Sequence, residues 1–502
     1  MLFFSFIPEV FLTSSIMLQL LSFASTINTL KNNFPILLKD ACYQTIFILI
    51  FVCLLVFNSE VEICSFAYIL FTNLASKYAK LLIVALGLVL SLIILPTLFL
   101  QKLNFYEFFS FFLLSLLSLL LLVSTQNLIF FYLTIELQTL CFYVLSIFNR
   151  KSAFSTEAGL KYFLLSSFMS ALLLFGMVIF YSCLGTLSLP EIYNILAFGF
   201  FNYNLNLIIN CGGIFIIVVL LFKIACAPFH FWAPDVYEGA PLSSTIVFSI
   251  VPKIGLIFFF SKWLFCLGAI TSNFIEILLF LGVFSCFVGS IFSLYQKRLK
   301  GLIIFSSVAQ IGFIVSGLSL NSVEGCSSVF IFLFVYLITS FLIWGHIALF
   351  YSYQNKIKTF YFAYSNSLYL TGLSGFFSKN PAWALSLLII FFSIAGIPPF
   401  TGFWAKVVIL IELVAQNKLM YSILLIIISS ISVFYYIRIL KTLFFEKKLQ
   451  KKNKEEIFQI IFINKHYQKI YFVFILFLLI LIFILFYPTN LYFLCQIIPL
   501  IN

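Results

Sequence analysis

Long apolar stretches separated by short polar breaks dominate the chain. A helix crossing about 30 Å of hydrocarbon needs about 20 mainly apolar residues. Runs of that kind recur near 3–24, 41–58, 80–100, 108–125, 127–147, 161–184, 206–232 and 243–268. They continue near 274–295, 301–319, 327–351, 382–414, 420–444 and 470–495, so about fourteen transmembrane helices are expected. The stretches 63–79 and 187–201 are less apolar and are expected as interfacial helices.

The polar breaks test that reading. Lys31 and Lys39 follow the first segment, Arg150 and Lys151 the fifth, and Lys297, Arg298 and Lys300 the ninth. Lys356, Lys358 and Lys379 follow the eleventh, and a run from Lys447 to Lys454 follows the thirteenth. All follow odd-numbered segments, whereas the opposite loops hold Glu60, Glu62, Glu191 and Glu324. A miscounted helix would scramble this alternation, so both termini are expected on the side away from the basic loops.

Segments four to eight and nine to thirteen form two blocks of five. An odd number of spans makes tandem blocks insert in opposite orientations, as in transporter folds built from inverted repeats. The expected divisions are 1–106 (three helices), 107–268 (first block), 269–445 (second block) and 446–502 (a basic loop and a last helix). The fold class is therefore an all-α polytopic membrane protein.

Composition agrees. Hydrophobic residues make up 63% of the 502 and charged residues 9%, with mean hydropathy +1.18. A soluble domain carries about a quarter charged residues, so lipid must be the solvent for most of this surface. The net charge of +12 sits in loops rather than along a polar face, which argues against nucleic acid as a partner. Eleven cysteines contain no CxxC pair, and most lie inside apolar runs, where cysteine behaves as a small hydrophobe. Metal or iron–sulfur ligation has no supporting spacing. The N-terminus MLFFSFIPEVFL lacks a basic leader pattern and reads as a first helix.

Against this background a few charges stand at membrane depth: Glu136, Lys223, Lys253 and Lys406. Each would cost about 2.5–3.5 kcal/mol to insert near the bilayer centre, so such residues mark function by default. Burial disfavours an ammonium while a nearby carboxylate favours it, so a lysine beside a movable carboxylate can switch its proton affinity. Pro228 follows Lys223, and Gly396, Pro398 and Pro399 precede Lys406. The seventh and twelfth segments are therefore expected to be broken, which is tolerated only against protein or a water-filled cavity. Lys262 and Glu412 lie near segment ends and are expected to snorkel to the interface. Glu9 is expected to make an interfacial or partner contact. His230 shares a face with Lys223, seven residues on, and His346 lies within the eleventh segment; either could relay protons or be structural. Ser306, Ser307 and Gln310 could hold waters between the lysine sites.

Several stretches together carry a resemblance: FYLTIELQTLCFYVL (131–145), KYFLLSSF (161–168), LLFKIACAPFHFWAPDVYEGAPLSSTIVFSIVPKIG (220–255), SSVAQIGFIV (306–315), SIAGIPPFTGFWAKVVIL (393–410) and YYIRIL (435–440). In this order they resemble the subunit 2 family of the proton-translocating NADH dehydrogenase, respiratory complex I, in its mitochondrially encoded form. The resemblance covers roughly residues 100–445. It implies an antiporter-like fold of fourteen helices, with two inverted five-helix repeats and broken helices 7 and 12. It also implies that Glu136, Lys223, Lys253 and Lys406 occupy the family's proton-transfer positions. Where Gln310 stands, related sequences often carry histidine. The implied partners are other membrane-arm subunits of complex I and lipids, and the implied location is the mitochondrial inner membrane. NADH, FMN, iron–sulfur clusters and ubiquinone would be bound by partner subunits, since this sequence has no GxGxxG after a strand, no P-loop and no cysteine cluster.

Three alternatives stay open on the sequence. One is a subunit of a multisubunit cation/proton antiporter, another a subunit of the chloroplast NADH-dehydrogenase-like complex. The third is a structural subunit that seals the membrane arm without moving protons.

Overall fold

A computed structural model of the chain describes residues 6–29, 34–60, 63–65, 69–103, 105–198, 203–268, 272–357, 369–375, 377–378, 380–446, 465–486 and 495. Lys31, Glu62, Lys358, Lys379 and the lysines between 447 and 454 lie outside these residues. The chain divides into two units, Met1–Ala225 with Phe231–Glu276, and Ile277–Gln496 with Cys226–His230.

The first unit opens with α1 (Ile7–Thr29) and α2 (Phe34–Asn58). A short antiparallel hairpin follows, β1 (Ile63–Ser65) and β2 (Leu70–Thr72), with Cys64 opposite Phe71. This corrects the interfacial helix expected over 63–79. The residues Ile69, Phe71 and Thr72 favour a pleated strand, and α3 (Leu74–Leu100) begins directly after it. The Asn73 N–H donates to Ser76 Oγ at 2.8 Å, satisfying one donor at the start of α3. The expected interfacial helix over 187–201 is present as α7 (Leu189–Phe198). Backbone bridges join Leu70 to Thr125 and Asn127 to Ser188, so the non-helical backbone here satisfies its own polar groups.

Next come α4 (Glu107–Ser124), α5 (Leu128–Ser146), α6 (Ala153–Leu184), α8 (Tyr203–Ile224), α9 (Trp232–Gly239) and α10 (Leu242–Cys266). The sequence places the start of α6 near 161, because Glu157 and Lys161 interrupt the apolar run. The helix in fact begins at Ala153, and these two charges form an ion pair at 2.9 Å on its exposed first turns. Lys161 also reaches Asp235 of α9 at 2.8 Å. A helix with apolar residues on every side must be surrounded by protein or by lipid. Every residue of α10 but Lys262 and Phe265 is buried, while only a third of the apolar stretch in α6 is. Phe154, Leu164, Phe168 and Val178 are exposed along α6.

The second unit takes up α11 (Ser272–Tyr295) from Ile277 onward and contains α12 (Leu299–Leu318), α13 (Val323–Ile357), α14 (Pro381–Ala395), α15 (Thr401–Ala415), α16 (Leu419–Phe444) and α17 (Lys465–Phe486). Among the described residues, twelve helices are long and apolar enough to cross a membrane. The expected twelfth segment is split into α14 and α15, each of 15 residues and so too short for a full crossing alone. In α17 the shorter apolar stretch is Val473–Ile484.

Candidate functional site

Both expected breaks are present. The helix carrying Lys223 stops at Ile224, and Ala225 takes a left-handed φ of 63°. The chain re-enters a helix only at Trp232. Lys223 thus stands in the last turn of α8, where the negative end of the helix dipole favours a cation. The face shared by Lys223 and His230 does not exist as expected, because the helical repeat does not continue through Ala225. His230 is buried, with Phe305 edge-on at 6.3 Å.

The break leaves carbonyls to be satisfied. Trp232 Nε1 donates to the Phe222 carbonyl at 2.8 Å, which closes the end of α8. Within α10, Pro252, one residue before Lys253, has no N–H to donate and leaves the carbonyl four positions back, at Phe248, without its helical partner. The Tyr237 hydroxyl donates to that carbonyl at 3.2 Å. Trp232 and Tyr237 belong to the stretch HFWAPDVYEG, and each repairs backbone beside one lysine. Their role was hidden because a proline's unpaired carbonyl can be located from sequence, but its new partner cannot.

Lys223 and Lys253 are both buried, 8% and 3% exposed. They line one cavity of about 20 Å³ together with Gln138, Tyr162, Trp232 and Tyr237. That volume suits about one water. Among the described residues, Lys223 Nζ has no hydrogen-bond partner. Glu136 lies on α5, half-buried, and its field acts on Lys223 without a direct ion pair between them. The Thr139 hydroxyl reaches Glu136 Oε2 at 3.4 Å. Glu136, Lys223 and Lys253 are therefore gathered within the first unit, and Lys406 lies in the second.

Around Lys406 the chemistry is built on the other break. Gly396 ends α14 with φ 79°, and Lys406 Nζ donates to the Ala395 carbonyl at 2.7 Å. Gln310 Nε2 donates to the preceding carbonyl, Ile394, at 3.3 Å. Two side chains from α15 and α12 thus cover the carbonyl end of the broken helix, where the dipole attracts the ammonium. The ammonium also lies over the Phe313 ring at 5.5 Å. The hydroxyls of Ser306 and Ser307 donate back to Ile303 and Ile304 within α12. Tyr436 lies close to Ser306, Gln310 and Tyr435, and the two tyrosine rings are 4.3 Å apart.

The remaining candidates divide. His346 has both ring nitrogens engaged, Nδ1 with the Leu342 carbonyl at 2.6 Å and Nε2 with Ser386 Oγ at 2.8 Å, and it stacks on Phe474. It is held as a structural histidine. Lys262 does not snorkel: its Nζ donates to the Val123 carbonyl at 2.7 Å. Glu412 is 9% exposed and lies beside Glu324, an exposed residue in the first turn of α13. Glu9 is buried in an ion pair with Lys80 at 2.6 Å.

The sequence profile of the family described as NADH:quinone oxidoreductase/Mrp antiporter, TM, matches residues 125–434. This chain belongs to that family. It is 33% identical to NADH-quinone oxidoreductase subunit N of Pelagibacter ubique, over 88% of this chain and 89% of the relative. It is 32% identical to NADH-ubiquinone oxidoreductase chain 2 of Marchantia polymorpha, again over 88% and 89%. A chain of respiratory complex I from Thermus thermophilus shares the fold with a TM-score of 0.72 at 23% identity, covering 97% of this chain and 98% of that one. Both break motifs and all four charged candidates fall inside the matched residues.

Proposed function

We propose that this chain is a proton-translocating subunit of the membrane arm of NADH:ubiquinone oxidoreductase, multi-pass in the mitochondrial inner membrane. Its site would be made of Glu136, Lys223, Lys253 and Lys406. The observation that carries the reading is Lys223: a buried ammonium at a helix break with no hydrogen-bond partner among the described residues, within the field of the Glu136 carboxylate, which does not pair with it. A purely structural lysine at this depth would be expected to hold a fixed partner. Here, approach of Glu136 would stabilise the proton on Lys223, and its withdrawal would favour release. A single water in the shared cavity would link Lys223 to Lys253. In the second unit, Lys406 would hold its proton against the carbonyl end of α14.

In this reading the chain does no redox chemistry. Membrane-arm neighbours and lipids surround it, and partner subunits bind NADH, FMN, iron–sulfur clusters and ubiquinone and supply the energy. Moving one charge against 100 mV requires about 2.3 kcal/mol.

The test substitutes Met at Lys223 or Lys406, which keeps the stem's bulk and removes the titrating group, and Arg, which stays protonated. Pumping per NADH oxidised in membrane vesicles is measured beside the amount of assembled complex. Proton transfer predicts normal assembly and reduced pumping for Met, with no recovery for Arg. A structural cation predicts recovery with Arg, and full pumping in a well-assembled Met variant would overturn the role of that residue.

A further inference from the structure

The cavity shared by Lys223 and Lys253 has α5 in its wall, and the residue α5 contributes is Gln138 rather than Glu136. Residues two apart on an α-helix point about 200° apart around its axis, so the amide and the carboxylate lie on opposite faces of α5. Gln138 is 3% exposed. Two other polar groups of the wall are already engaged with backbone. Trp232 Nε1 donates to the Phe222 carbonyl at 2.8 Å, and the Tyr237 hydroxyl donates to the Phe248 carbonyl at 3.2 Å. Two buried atoms of wall residues have no hydrogen-bond partner among the described residues: Lys223 Nζ, a donor, and Gln138 Oε1, an acceptor.

These two atoms call for the two halves of one small molecule. A water can accept a bond from Nζ through a lone pair and give one to Oε1 through an O–H. The cavity of about 20 Å³ suits about one water, so the polar groups on its wall must share the same molecule. A buried water needs two to four polar partners. Lys223, Lys253, Gln138 and the lone pairs left on the Tyr237 oxygen supply them. The amide has a property that a carboxylate lacks at this place. It accepts a hydrogen bond without carrying a charge, whereas a carboxylate would favour the ammonium form of both lysines.

We propose that Gln138 is a positioning residue whose carbonyl oxygen holds the water that carries a proton between Lys223 and Lys253. This rests on the proposed function in proton translocation. One O–H of the water donates to Gln138 Oε1 and stays there. The Lys223 ammonium donates to the water oxygen, and the second O–H points at the Lys253 amine. The water gives that second proton to Lys253 as it takes one from Lys223. The products are a neutral Lys223, an ammonium at Lys253 and an intact water, so no charge or atom is left over. The bond to Gln138 serves as a pivot about which the water turns to receive the next proton. Without that bond the water could turn an O–H toward the apolar part of the wall, Phe142 and Leu256, and the path between the lysines would be open only part of the time.

The experiment uses the intact complex. Gln138→Leu and Gln138→Met keep the bulk of the side chain and remove the carbonyl. Both are expected to assemble normally, because they put an apolar group where a buried acceptor had no protein partner. Proton pumping per assembled complex in membrane vesicles should fall in both. A density map of the unmodified complex that resolves waters should show one water about 2.5–3.2 Å from the Gln138 amide and from a lysine of the cavity. In Gln138→Leu that water should be displaced or absent. Full pumping in either assembled variant, no water at that place in the unmodified complex, or an unmoved water in Gln138→Leu would overturn the proposal. Failure of both variants to assemble would make the amide structural and overturn it as well. Lys223→Met in the same vesicles separates the two readings. Loss of pumping there with none in Gln138→Leu removes only this inference, whereas full pumping in Lys223→Met removes the proposed function too.

Discussion

Replacing Gly396 by Ala would displace a lysine without touching its charge. Gly396 has φ 79°, and a Cβ built on it would lie 2.9 Å from both Nζ and Cδ of Lys406. The lysine end is flexible and can move, but only by leaving the Ala395 carbonyl it holds at 2.7 Å. A left-handed alanine costs about 1–2 kcal/mol. Loss of a hydrogen bond from a charged group costs about 1.5–3 kcal/mol. Gly396→Ala should therefore cost about 2.5–5 kcal/mol in all. Gly185 supplies the control, because it ends α6 with φ 75° and has open space where a Cβ would go. Gly185→Ala should carry only the backbone cost of about 1–2 kcal/mol. The assay is the amount of assembled complex together with protons pumped per NADH in vesicles. Gly185→Ala should reduce assembly slightly and leave pumping per complex unchanged. Gly396→Ala should reduce pumping per assembled complex although Lys406 is still present. Equal pumping in the two variants would refute the idea that the position of the ammonium against the end of α14 matters.

Gly402→Ala should be more damaging to assembly than Gly185→Ala, because its Cβ would collide with the Ser393 carbonyl. Backbone cannot step aside as a lysine can, so the cost should reach the upper part of the about 1–3 kcal/mol range for overpacking; normal amounts of assembled complex would contradict it. A cysteine replacing exposed Arg298, with the native exposed Cys211 removed, should react with an impermeant thiol reagent from the basic-loop side, the matrix under the proposed location. Labelling from the opposite side would overturn the alternation of basic loops.

The sequence alone determined the solvent, the class and the breaks. Apolar runs long enough to span lipid become helices almost wherever they occur, because in hydrocarbon the backbone has no other way to satisfy its polar groups. Gly396, Pro398 and Pro399 marked the break between α14 and α15, since proline removes a donor and glycine accepts the left-handed turn. Lys223, Lys253 and Lys406 stood out because a charge inside an apolar run is costly wherever the run ends up. What the sequence could not decide was which groups meet. His230 seemed to extend the face of Lys223, a relation that fails because Ala225 ends the helix, and nothing local forces an alanine into that conformation. Lys262 and Glu9 looked like interfacial residues by their distance from the ends of their segments. Only the packing of α1, α3, α4 and α10 turned them inward, toward the Val123 carbonyl and Lys80. The partners of the freed carbonyls at Phe222 and Phe248, Trp232 and Tyr237, were equally invisible. A linear pattern records the cost of a buried polar group, but the group that offsets it lies across a helix contact that only the folded chain creates.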